Sequence, residues 1–537
     1  MAIANTRVKR FSPTGASDSL DATDEFPGAC SAITNLVPDL STRNVWTCIP
    51  KPVALLDFNS SPNLPGGHSA GQAVVFKVVG SFVYGLFLDA TSLVDRPFAF
   101  NLLTSSWVTV TGPGAIPSTY SGVGGAGKPV PTMDLVGTHL IVTHPNYIVP
   151  GTYFGVFTIS NPAAPVYTTG DITGAITFSG LGLTRPVDWV RQFNQRAYYG
   201  CNGISQPSAV ASDVLNSGNV TNASQVLTFG DNLPLTAAAG LPLSNQLGGI
   251  IQSLMIFKGI ENIYQVTGDF ALTNISINTL NIPTGTASPR TIVSTPLGLA
   301  FVSPDGLRII DQSATISPVI GSNGSGISIP MSSISGGVLT SNIKMAAGCD
   351  GSIIRIGFSN NLISFEQEYW YDLTLKTWSG PHDFVPNMYD LYNGSFVVST
   401  DGLGSSFYSA PRYPLPASTF SGTFTLKSAM LEDNGQMAAS ELSEMQIVAA
   451  SAASNTLTVT LLDSSSNTIN SSSVTINPTG ATPGLAPYKI DFPAISVFNR
   501  MSVQVTGNSA AGVRIGDVWM RLKTLGYIPP PPNPPTS

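Results

Sequence analysis

Charge is what this chain has least of: 24 Lys and Arg and 31 Asp and Glu make up 10% of its 537 residues, where about 25% is usual for soluble domains. That scarcity argues against a protein built of charged surface helices and points to surface committed to contacts with other proteins. Cations are fewer still. The net charge is −7, and the one basic run is Arg7, Lys9 and Arg10. A protein that wraps nucleic acid would show a basic stripe, so that class is excluded. A conduit that must not grip its cargo is not, because like charge lets DNA slide. Cysteine is sparse: Cys30, Cys48, Cys201 and Cys349 are scattered without a CxxC pair. They read as buried small hydrophobes rather than a zinc site or disulfide framework. The four histidines, His68, His139, His144 and His382, lie in no HExxH context. No apolar run reaches about 18 residues, and the start MAIANTRVKRFSPTG has no apolar signal region. The expectation is synthesis in a cytoplasm without a membrane anchor.

What the chain does have is glycine, proline and short β-patterned segments. Gly and Pro number 52 and 41, too many turn formers for long elements. From 72 to 410 runs such as AVVFKVVG, SFVYGLFLD, HLIVTH, TYFGVFTIS, QRAYYGC, SLMIFKG, NIYQVTG, GLAFVS and GSIIRIGFS are rich in Val, Ile, Phe and Tyr and closed by turn residues. One echo is sharper. Phe100-Asn101 and Tyr371-Asp372 are each followed by five residues and a tryptophan, Trp107 and Trp378. The Asn or Asp caps the turn, and the tryptophan returns beside the aromatic to seal the hairpin. Paired hairpins recur every 45–60 residues or so, the size of a four-stranded propeller blade. A β-solenoid would show a tighter period. The fold class is therefore all-β: a β-propeller of about six blades with insertions at 161–184 and 214–248. GLGLTRPVDWVRQFNQ can carry a short helical turn.

Residues 411–526 contain seven or so alternating strands, the size and strand count of a β-sandwich. In MSVQVTG, Met501, Val503 and Val505 face one way and Ser502, Gln504 and Thr506 the other. Residues 1–71 hold fixed turns and little periodicity, an extended arm that gains order by docking on the body or a neighbour. Residues 527–537 are a Pro-rich tail prone to polyproline II.

No catalytic constellation stands out. The closest is Glu366 and Glu368, which share a strand face at about 6–7 Å, inside the range of glycosidase carboxylate pairs. The aromatics that follow in EYWYDLTLKTW could stack on sugar or simply pack between blades. Asp305-Gly306 is a turn signal between strands, with Arg308 on the returning strand. These residues favour no enzymatic activity, no cofactor and no metal.

Three stretches, YYGCNGISQPSAVASDV, GIIQSLMIFKGIENIYQVTGD and GTASPRTIVSTPLGLAFVSPDGLRIID, resemble the tail nozzle or hub proteins of short-tailed bacteriophages. PGACSAITNLVPDLSTRNVWTCIPKP is similar to their N-terminal arm, and the C-terminal module to their sandwich. The resemblance implies a homohexameric ring in the virion tail, beneath a portal or adaptor ring and carrying tail fibres or spikes. Viral DNA would pass through it without sequence preference. It implies that Asn35, Pro38, Arg43 and Trp46 seat the arm, and that Ser288, Pro289, Arg290, Asp305 and Gly306 shape a blade. Trp107 and Trp378 join them as structural candidates. The alternatives are a glycan-binding or glycan-degrading tail protein, or a capsid or baseplate spacer.

Overall fold

The computed structural model describes residues 6–16, 29–39, 42, 44–57, 71–89, 92, 94–112, 116, 130–230, 232–244, 249–270, 274–280, 282–286, 288–303, 305–320, 334–335, 338–339, 345–358, 367–400, 406–410, 421–432, 438–478 and 484–527. Among them the chain is all-β. Its helical turns are short 3-10 segments such as Ala223–Gln225, Pro289–Thr291 and Ser509–Ala511. GLGLTRPVDWVRQFNQ ends in the strand Trp189–Phe193 rather than a helical turn.

Four-stranded antiparallel units follow one another along the chain. Each begins with an inner strand: Gly71–Val79, Met133–Val136, Trp189–Phe193, Leu235–Ser244, Val293–Thr295, Met345–Cys349 and Pro386–Tyr392. Successive inner strands pack side by side, and the last lies against the first, so the sheets close into a propeller. The blades number seven, one more than the count of about six. Six are built in chain order, the third passing over the short strand Asn219–Val220, which pairs with Thr173–Gly174. The seventh takes its outermost strand, Val53–Asp57, from the N-terminal segment, paired antiparallel with Ser406–Ala410. Closure hides strand edges that would otherwise pair with other chains.

Hydrophobic clusters fill the spaces between blades. Phe87, Phe98, Leu140 and Phe157 share one core, and Trp189, Leu254 and Ile256 another. Gly348 marks a close approach: a Cβ there would meet Tyr389 Cβ of the next blade at 2.5 Å.

The C-terminal strands form the sandwich. One sheet holds Ala438–Ser451 and Val513–Tyr527 at its centre, the other Thr423–Ser428, Arg500–Asn508, Asn455–Leu462 and Thr468–Ile476. Ile447, Ile515 and Met520 face Leu426, Val459 and Val505 in the core between them. Met501, Val503 and Val505 are buried as the alternation requires, and Ser502 is buried with them.

The N-terminal segment ties the two bodies together. Thr6–Phe11 and Trp46–Cys48 pair with Val513–Tyr527 of the sandwich. Between them, Ala29–Thr34 pairs on one side with Thr423–Ser428 and on the other with Thr377–His382 of blade six. Blade six and one sandwich sheet thereby run as a single 11-stranded sheet.

Candidate functional site

Seven inner strands enclose an axial cavity of about 920 Å³, the upper part of the usual range for ligand sites. Its wall is built by one local device. Lys77, Asp134, Arg191 and Asp390 each stand three residues before a turn residue with positive φ: Gly80, Gly137, Asn194 and Asn393. Only glycine, and asparagine at modest cost, takes that backbone readily. The turn therefore fixes the hairpin register, and the register places the charged side chain at one level of the cavity.

The four charges alternate around blades seven, one, two and three. Asp390 Oδ2 accepts from Val78 N of blade one at 2.7 Å, and Asp134 Oδ2 from Gln192 N of blade three at 2.8 Å. Each carboxylate's other oxygen accepts from the next backbone N–H of its own strand. The ion pairs beside them are long: Lys77 to Asp390 3.9 Å, Arg191 to Asp134 4.0 Å. Blades four, five and six complete the wall with Pro242, Val293, Ala347 and the half-buried Cys349. One half of the cavity is thus ionic and the other apolar. Burial pushes the Cys349 thiol up to about 11.

The cavity has a floor. Arg290, in the 3-10 turn before blade five, donates to Val74 O at 2.6 Å and Pro131 O at 3.1 Å, in the chain entering blades one and two. Its side chain crosses the axis. Arg191 donates to Ala238 O and Pro289 O, at 3.0 and 3.3 Å.

Glu368 does not face this cavity. It is fully buried and receives Arg355 through two bonds of 2.8 and 3.0 Å, Trp370 Nε1 at 2.7 Å and the Tyr389 hydroxyl at 2.8 Å. Arg355 lies over the Trp370 ring at 4.4 Å. A carboxylate so engaged locks blades six and seven together, so Glu368 is neither on a solvent-side face nor available to a sugar. Glu366 lies outside the described residues. Beside this lock, His382 Nδ1 accepts from Asn35 N at 3.1 Å. Burial first, then Arg355, lowers its pKa to about 3.

The sequence candidates do not gather at one place. Asn35, buried with φ 58°, bonds Asp383 of blade six and Thr423 O of the sandwich at 2.7 and 2.8 Å. Pro38 pairs with Trp46, whose buried indole donates to Pro13 O; Arg43 lies outside the described residues. Trp107 and Trp378 stand opposite Phe100 and Tyr371 on the outer hairpins of blades one and six. Trp378 is buried and Trp107 half-buried. Ser288 donates to Met345 O, and Pro289 accepts from Arg191. Asp305 receives Arg308 Nε at 2.9 Å, which holds its carboxyl down at about 2, and Gly306 turns at φ 120°. Of all these, only Pro289 and Arg290 line the axial cavity.

Sequence reasoning passed over the cavity wall itself, although KVVG, DLVG, RQFN and DLYN are one repeated signal. It also gave His144 no carboxylate partner, whereas Asp95 Oδ2 lies 2.5 Å from its Nε2, both buried. The expectation that the chain holds no GxSxG elbow and no GxGxxG loop is corrected by the sequence itself: GHSAG at 67–71 has the spacing of a nucleophile elbow, and GVGGAG at 122–127 that of a dinucleotide loop. An elbow turns from strand into helix, but Gly71 opens the strand Gly71–Val79. GVGGAG lies outside the described residues. Among the described residues, no group of three His, Cys, Asp or Glu could hold a metal ion.

No family model and no curated protein matches the chain. Solved structures do. A glycoside hydrolase family 43 arabinoxylan arabinofuranohydrolase from Bacillus subtilis, in complex with cellotetraose, is 10% identical over 87% of this chain and 99% of that one, with a TM-score of 0.26. A family 32 β-fructofuranosidase from Bombyx mori is 9% identical over 88% and 94%, with a TM-score of 0.23. The extracellular domain of a protein described as a one-component system, from B. thetaiotaomicron, is 10% identical over 85% and 62%, with a TM-score of 0.38.

Two expectations are corrected on these findings. The tail nozzle reading and the expectation of no enzymatic activity both give way, because glycoside hydrolases stand among the similar structures. At these identities and scores the likeness carries no assignment of activity. The function proposed next rests on the chain's own cavity.

Proposed function

We propose that this chain acts on a glycan, holding a saccharide in the axial cavity and cleaving a glycosidic bond there. One observation carries the reading: a floored cavity of about 920 Å³ that carries two carboxylates, Asp134 and Asp390, on its ionic half and an apolar wall opposite. Saccharides are amphipathic. Their hydroxyls take hydrogen bonds from charged and amide side chains, and the C–H faces of the rings pack on apolar surface. The cavity offers both, with Gln192, Asn194 and Gln195 beside the charges and Val293, Ala347 and Leu299 across from them.

Glycoside hydrolysis needs two carboxyl groups flanking the scissile bond, one as acid and one as base or nucleophile. Asp134 and Asp390 come from two blades separated by blade one, so a sugar between them would be reached from two directions. Their backbone hydrogen bonds hold each carboxylate in one orientation, the preorganisation such chemistry requires.

The test is incubation of the purified chain with a panel of plant and bacterial polysaccharides, followed by sizing of the products. Wild type should shorten at least one, and Asp134→Asn and Asp390→Asn should each lose activity by about 100-fold or more, with folding checked by circular dichroism. No shortening of any polymer, or full activity in both variants, would overturn the reading.

A further inference from the structure

We infer that the saccharide taken by the axial cavity is acidic, and that Lys77 receives its anionic group; this rests on the glycan reading above. Asp134 and Asp390 each accept two backbone N–H groups. Arg191 donates to two carbonyls, and Arg290 bonds two carbonyls on the far side of the axis. Those hydrogen bonds hold the four groups in fixed orientations.

Lys77 is different. Among the described residues its ammonium has one ionic neighbour, Asp390, at 3.9 Å, beyond hydrogen-bond distance. Its side chain is about one third exposed, at 32%. An ammonium carries three donors and no acceptor, so Lys77 offers the ionic half of the cavity a cation with donors to give.

The balance of charge points the same way. Lys77, Arg191 and Arg290 stand against Asp134 and Asp390 in the cavity wall, an excess of one positive charge inside a chain of net −7. A cavity more positive than its surroundings focuses an anion inward. The position of Lys77, on the blade between those that carry the two aspartates, sets the anionic group of a bound sugar beside the pair. The ligand chemistry is a sugar ring bearing a carboxylate or a sulfate.

Titration calorimetry with the full chain separates the cases, using tetragalacturonate, a sulfated carrageenan tetrasaccharide and cellotetraose as probes. Wild type should bind at least one acidic tetrasaccharide ten times or more tighter than cellotetraose. Lys77→Met should abolish that preference, and Lys77→Arg should keep it. The acidic probe that binds tells carboxylate from sulfate. Equal or tighter binding of cellotetraose, or a preference untouched in Lys77→Met, would overturn the inference and leave the glycan reading standing. Absence of binding to all three, together with no polymer shortened, would sink both.

Discussion

Trp378 and Trp107 occupy the same place in two blades but meet different surroundings. Trp378 keeps 2% of its surface exposed and packs on Tyr371 at 4.9 Å between ring centres. Trp107 packs on Phe100 at 5.4 Å with one side open. Trp378→Ala should cost about 3–5 kcal/mol in urea unfolding, the range for a deleted core aromatic, and Trp107→Ala clearly less. Glu368→Gln should cost about 3–5 kcal/mol as well, because it leaves Arg355 charged and buried without its counter-ion. His382 sets a pH dependence. Its folded-state pKa is lowered to about 3 from the usual 6.5, so below 6.5 the unfolded chain binds a proton that the folded chain refuses. Its contribution is full above pH 6.5 and is lost progressively as pH falls towards 3. The Tm of His382→Gln should therefore fall less steeply on acidification than that of wild type. The hairpin tryptophans were legible in sequence because an Asx turn and a cross-strand pair are both local. The fate of Glu368 was not: strand alternation says which residues share its face, but not that Arg355 and Tyr389 will meet it there.

The strand Val53–Asp57 decides whether the ring is closed. It lies among prolines and turns, and its partner, Ser406–Ala410, is some 350 residues away in sequence. Nothing local announces such a pairing, which is why the segment reads as part of an arm and the blade count falls short. Leu55 packs against the cluster that also holds Met388 and Val397 of blade seven. Leu55→Asp should lower the unfolding midpoint and raise proteolytic cleavage within 386–410, measured by limited digestion and mass spectrometry. Unchanged cleavage there would mean that the strand is dispensable for closure. The Asn and Asp turns were easier to read. Asn101 accepts from Leu103 N at 2.9 Å, and Asp372 from Thr374 N and Leu375 N at 2.8 Å. Asn161 and Asp311 do the same in blades two and five.

Over the whole molecule, composition and strand spacing sufficed for an all-β propeller followed by a sandwich, because both reduce to alternation and turn chemistry. The cavity needed more. Lys77, Asp134 and Arg191 recur 57 residues apart, yet a single charged residue per blade is invisible until its hairpin turn is aligned with the others. The decisive experiment is a structure of Asp390→Asn bound to an oligosaccharide that wild type cleaves. The sugar should lie in the axial cavity, between Lys77 and Val293, with its scissile bond beside Asp134. Sugar bound on the sandwich or on the outer blades, with the axial cavity empty, would contradict it.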